Sequence, residues 1–214
     1  KKKYLMESIK KLSHHIEDWL IKYIKKSKMK GFVVGVSGGI DSAVTSTICA
    51  RTGYPTLCLE MGIHQNVSQI SKARKHIQWL EENFKNVSHQ YLSLTKLFDE
   101  FCYTLPKGID GNKKNLALAN SRARLRMTTL YQVAAANKGI VVGTGNKVED
   151  FGVGFYTKYG DGGVDISPIA DCNKTEVWEL GKELGILKEI IDAPPTDGLW
   201  DDGRTDEGQL GFNY

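Results

Sequence analysis

The chain has 214 residues, of which 41% are hydrophobic and 25% charged, with a formal net charge of +4. This is ordinary globular composition and excludes a disordered or fibrous chain. The charge is too mild to mark a nucleic-acid binder, and no apolar run approaches the ~18 to 20 residues of a membrane span, so the expectation is a cytoplasmic protein without nucleic-acid or membrane partners.

The length suits one α/β domain over residues 1–214. Ile9, Leu12, Ile16, Leu20 and Ile24 recur at helical spacing and predict an amphipathic helix over 4–27. Its basic end suits the helix dipole, and Lys22, Lys25, Lys26, Lys28 and Lys30 read as a solvated surface. Phe32 to Val36 is a short apolar run rich in β-branched residues, bounded by glycines, and predicts a buried strand.

Similar pairs follow: a strand near 56–61 with a helix at 67–84, then a strand near 89–94 with a short helix to about 104. Pro106, Gly108 and Gly111 mark a loop, a long helix covers 114–137, and Gly139 to Gly143 form the next strand. Strands alternating with helices predict a Rossmann-like parallel sheet with helices on both faces. Residues 145–165 are glycine-rich and read as a loop without a regular element, long enough to suggest that it binds something. A helix at 173–184 precedes a tail that holds Pro194, Pro195 and several acids. Cys49, Cys58, Cys102 and Cys172 form no C-x-x-C pair and read as reduced packing residues.

The segment Gly35-Val36-Ser37-Gly38-Gly39-Ile40-Asp41-Ser42 lies between the first strand and the helix that starts near Asp41. Adjacent glycines let the backbone approach a ligand closely, and the free amides of a helix start favour an anion above them. Ser37 and Ser42 can donate to phosphate, and Asp41 makes sense there if Mg²⁺ lies between carboxylate and phosphate. The competing reading is a plain turn with Asp41 or Ser42 as helix cap. Neither the G-K-[ST] of a Walker loop nor a G-x-G-x-x-G is present.

Gly143-Thr144-Gly145-Asn146-Lys147-Val148-Glu149 would also stand at a strand's carboxyl end, where Thr144 offers a hydroxyl and Glu149 a second metal ligand beside Asp41. Phe155 to Asp165 combines aromatics suited to stacking with Lys158, Asp161 and Asp165. On the long helix Arg122 and Arg126 share a face and Arg124 points elsewhere. His64, after the second strand, reads as a loop histidine near the nucleotide rather than an acid–base catalyst.

The loop Ser37 to Ser42 resembles the S-G-G-x-D-S loop of the N-type ATP pyrophosphatases, with the adenine nucleotide alpha hydrolase-like fold. From about Gly31 to Tyr214 the order of segments is similar to ammonia-dependent NAD synthetases, which adenylate the nicotinate carboxylate of deamido-NAD and amidate it with ammonia. The resemblance implies that Gly35 to Ser42, Thr144, Lys174 and Thr196 bind ATP, and that Asp41 and Glu149 hold Mg²⁺. It implies a deamido-NAD site at Arg124, Lys158 and Asp165, a homodimer with that site at the interface, and a chain ending before the family's C-terminal helix and basic tail. Lys174 would stabilise the leaving pyrophosphate, and Asp161 would hold or deprotonate ammonium. The second strand departs from the family at Glu60 to Gln65, where many members have a proline-containing turn, and Gln65 keeps one contact near the adenine.

Overall fold

A computed structural model describes residues 2–65, 67–108 and 112–194. Four parallel strands, β1 (Gly31–Gly35), β2 (Thr56–Gly62), β3 (Val87–Ser93) and β4 (Gly139–Val142), lie in the order β3-β2-β1-β4. Val34 pairs with Cys58 on one side and with Val142 on the other. A parallel bridge from Val142 to Ile166 begins a fifth position beside β4.

Alternation along β1 decides which helices cover which face. Phe32 and Val34 pack with α1 (Lys2–Ser27), α2 (Ile40–Arg51) and α6 (Lys174–Glu183). Val33 packs with the opposite layer, where Phe98 of α4 (Thr95–Thr104) and Met127 and Leu130 of α5 (Asn112–Asn137) meet Leu59 and Met61 of β2. α3 (Val67–Asn83) returns to the first face through Ala73, Ile77 and Leu80. The expected parallel sheet with helices on both faces is therefore present. The stripe Ile9, Ile16, Leu20 and Ile24 is the buried edge of α1.

Two expectations are corrected. Residues 145–165 contain a π-helical turn, Val148–Val153, in place of an unstructured loop. The Asn146 side-chain oxygen accepts the N–H groups of Val148 and Glu149, both at 3.1 Å, and Gly154 at φ 68° ends the turn. Lys188–Ile191 form a further short helix, α7, unforeseen because four residues carry too little periodicity to read. The four cysteines are free thiols, as expected.

His76 on α3 is fully buried, stacked on Trp79 at 5.8 Å, with Nε2 3.0 Å from the Ser46 hydroxyl. Burial holds its pKa down from 6.5 to about 4. The folded state thus binds this proton later than the unfolded chain. Stability from this group is full above pH ~6.5 and drains away as pH falls towards 4, by roughly 3 kcal/mol. Urea denaturation of His76→Phe should show a shallower loss between pH 7 and pH 4 than the parent protein; an unchanged slope would clear His76 of the effect.

Candidate active site

Going outward from β1 the chain runs to β2 and β3 on one side and to β4 on the other, so the crevice above the carboxyl ends of β1 and β4 is a topological switch point. A cleft of about 230 Å³ opens there, lined by both loops that leave these strands. A larger groove of about 450 Å³ lies between α1, α6 and α7, but none of the site residues inferred from the sequence lines it.

The loop after β1 folds tightly because Gly38 takes φ 88°. Gly39, not Asp41 or Ser42, is the residue before the first turn of α2, which corrects the plain capping reading. The Ser42 hydroxyl is buried and donates to the Gly39 carbonyl at 3.0 Å, and it accepts the Ser37 N–H at 3.2 Å. Ser42 thus shapes the loop, and Ser37 is the exposed hydroxyl at its mouth. Gly35, Val36, Ser37, Gly39, Asp41 and Ser42 line the cleft. Gly38 and Ile40 do not: Ile40 is a core residue, packed against Gly181 of α6.

Asp41 is the junction of the site. Its Oδ1 accepts the Asn146 side-chain N–H at 3.0 Å, and its Oδ2 lies 2.6 Å from Lys174 Nζ. The same ammonium reaches Glu149 Oε1 at 2.9 Å. Lys174 opens α6 and is 2% exposed, an unusual place for a cation, since the start of a helix already carries partial positive charge. Burial opposes its charge, but Asp41 and Glu149 outweigh that and hold the ammonium above its ordinary pKa. For Asp41, burial raises the carboxyl despite the Lys174 charge.

Asn146 was missed by sequence reasoning. It is fully buried, joins the π-helical turn to Asp41, and stands within the G-T-G-N run already singled out; its burial was the signal hidden from sequence. Asp150 was also missed. It lines the cleft and packs so closely on Gly145 that a Cβ there would collide with its carboxylate. Burial first, then the charges of Asp161, Glu149 and Asp41, raise its pKa to about 6. The raised value means that ionising Asp150 costs stability as pH rises from about 4 through 6. Discounted for partial exposure, Asp150→Asn should stabilise the protein by about 1–2 kcal/mol at pH 7, with the gain gone near pH 4. Thermal melts at the two pH values check this, and equal gains at both would contradict it.

Thr144, Gln65, Phe155 and Asp161 line the same cleft. Asp161 Oδ1 accepts the Thr157 N–H at 2.8 Å and so holds the turn beside it. Arg126 Nε donates to the Met61 carbonyl at 3.0 Å, and Arg122 lies over the Phe98 ring at 4.6 Å, both on the inner face of α5. Arg124 points the other way and donates to the Lys158 carbonyl at 3.0 Å. Asp165 accepts the Val141 N–H at 2.9 Å and the Tyr131 hydroxyl at 2.8 Å; burial first, and then the bond to Asp165 and its charge, raise the Tyr131 pKa to about 12. Arg124, Lys158 and Asp165 stand outside the lining of the cleft. His64 takes φ 49° and pairs with Asp99 at 2.6 Å, tying the end of β2 to α4. Thr196 lies outside the described residues.

The site therefore brings the glycine loop at the start of α2, two carboxylates and further acids into one crevice, while the buried Lys174 ammonium joins Asp41 and Glu149 from outside its lining. Asp41, Glu149, Asp150 and Asp161 outnumber the one ammonium and would repel a bare polyphosphate, so the set suits one that arrives with a cation. Comparison with known proteins points the same way. The family model NAD synthase matches residues 12–214. The NH(3)-dependent NAD(+) synthetase of Carboxydothermus hydrogenoformans is 39% identical over 92% of this chain and 79% of its own length. That of Mycoplasma genitalium is 38% identical over 98% of this chain and 82% of its own. The solved NMN synthetase of Francisella tularensis is 35% identical, with a TM-score of 0.88 over 96% of this chain and 82% of that one. On the family match, and on relatives so similar over so much of their length, this chain belongs to the NAD synthase family.

Proposed function

We propose that this protein makes NAD by ATP-dependent amidation of deamido-NAD with ammonia. The observation that carries the reading is the junction Asp41–Lys174–Glu149 beneath the glycine loop, at the switch point of a chain in this family. The substrate carboxylate attacks the α-phosphorus of ATP and releases pyrophosphate; ammonia then attacks the acyl adenylate and releases AMP. In the first step the amides at the start of α2 and the Lys174 ammonium stabilise charge on the departing pyrophosphate. Thr144 and Ser37 offer hydroxyls to the nucleotide, with Thr196 as a further ATP contact. Gln65 stands at the adenine side.

The donors suit Mg²⁺. Asp41 and Glu149 present hard carboxylate oxygens around a position already held by a cation. Among the described residues no group of three acidic, histidine or cysteine side chains forms an all-protein metal cage. Mg²⁺ commonly takes one or two carboxylates and completes its shell with phosphates and waters. Bound there, it would neutralise the phosphates and polarise their oxygens as a Lewis acid.

Asp161, in the cleft wall, is our choice to hold ammonium or take its proton; Asp161→Asn with unchanged amidation at neutral pH would discard that role. Arg124, Lys158 and Asp165 we assign to deamido-NAD, with a second subunit completing their side of the site in a homodimer. No helix among the described residues is long and apolar enough to cross a membrane, and we place the activity in the cytoplasm, where four free thiols are at home.

The likeness to the Francisella tularensis NMN synthetase favours a second reading, in which the carboxylate belongs to nicotinate mononucleotide. Incubation with ATP, Mg²⁺ and ammonium, supplying each carboxylate in turn, separates the two. NAD and AMP formed together, with a higher kcat/KM for deamido-NAD, support the first reading. Preference for the mononucleotide selects the second, and no AMP with either substrate overturns both.

A further inference from the structure

Lys174 occupies a place where three separate features disfavour a cation. It is the first residue of α6, near the start of α2, and almost fully buried. Its charge is tolerated there because Asp41 Oδ2 and Glu149 Oε1 approach it to 2.6 Å and 2.9 Å from different elements. The same two carboxylates are the metal ligands of the proposed function. An ammonium and a divalent cation cannot share this small space without strong repulsion.

We propose that Lys174 is a placeholder for the divalent cation. In the nucleotide-free protein its ammonium bridges Asp41 and Glu149 and keeps free metal out. When the metal arrives already bound to the triphosphate, the phosphates supply a new anionic partner for Lys174, and the carboxylates transfer from the ammonium to the metal. Metal entry is thereby coupled to nucleotide entry, and the carboxylates stay paired in the empty enzyme, where a buried unpaired charge is costly. Asn146 supports the exchange, because its donation to Asp41 Oδ1 at 3.0 Å holds the carboxylate in place whichever cation faces Oδ2.

This inference rests on the metal reading of Asp41 and Glu149, and the test separates the two. Mn²⁺ binding is followed by electron paramagnetic resonance and water-proton relaxation, with and without a non-hydrolysable ATP analogue. The wild-type protein without nucleotide should leave Mn²⁺ free, and the analogue should create a protein-bound ternary complex. Lys174→Met without nucleotide should bind Mn²⁺ at least ~10-fold more tightly than wild type. Equal Mn²⁺ binding by both nucleotide-free proteins would overturn the placeholder and leave the metal site standing. No bound Mn²⁺ in any sample, ternary complex included, would overturn the metal reading and the placeholder together.

A wild-type measurement decides the matter if Lys174→Met does not fold. The ¹⁵N-ammonium resonance of Lys174 should stay in place when Mg²⁺ alone is added, and move when Mg²⁺ and the analogue are added together. Movement with Mg²⁺ alone, or none with both, would refute the proposal.

Discussion

Replacing Asp41 with alanine should lower the rate of NAD formation by about 10³-fold or more while leaving a folded protein. The carboxylate is a proposed metal ligand, the acceptor for Asn146 and a partner of Lys174 at 2.6 Å. Its removal takes away electrostatic stabilisation that matters most as the pyrophosphate leaves, so kcat should fall more than KM for ATP rises. The fold survives because Lys174 keeps Glu149 as a partner at 2.9 Å, so the buried cation still faces an anion. Steady-state kinetics with AMP detection, beside a thermal melt, test both halves. A variant within tenfold of the parent would remove Asp41 from the chemistry. An unfolded one would show that the junction serves stability first.

Gly31→Ala should destabilise the protein by about 3 kcal/mol without touching the site. Gly31 opens β1, where an added methyl group would overlap the Pro55 carbonyl oxygen and sit 3.0 Å from Pro55 Cβ. That carbonyl already accepts the Phe32 N–H at 2.8 Å, joining β1 to the segment before β2. Backbone on both sides cannot yield as a flexible side chain would, so relief requires parting the central strands of the sheet. For a chain of this length the cost corresponds to a fall of roughly 6–12 °C in Tm. Differential scanning calorimetry reads it directly, and a shift under about 2 °C would mean that the strands part more easily than close packing allows.

Much of the architecture was legible before any coordinates because local signals agreed. The spacing from Ile9 to Ile24 marks the buried edge of α1, and the β-branched run after Gly31 marks a central strand. The glycine loop could be read as an anion site because Gly-Gly before an acid, between a strand and a helix, has a mechanism attached to it. The π-helical turn was not legible, since its stability comes from one buried amide side chain rather than from periodicity. Within the loop the roles of Ser37 and Ser42 also could not be separated, because both are hydroxyls and only burial tells the loop-shaping one from the one at the mouth.

Chemistry-bearing residue types, their order and the periods of helix and strand are properties of the sequence, and these determined the fold class and the place of the glycine loop. Which charges meet was decided by tertiary structure alone. Asp41, Glu149 and Lys174 are far apart in the chain and come together because β1 and β4 are neighbours and α6 packs back onto α2. The same packing set Asp150 among three other acids and turned Asp165 toward Val141 and Tyr131. The physical reason is that hydrophobic patterning specifies which face of each element is buried, whereas strand order and helix return fix the distances between charges, and electrostatic effects depend on those distances and on burial.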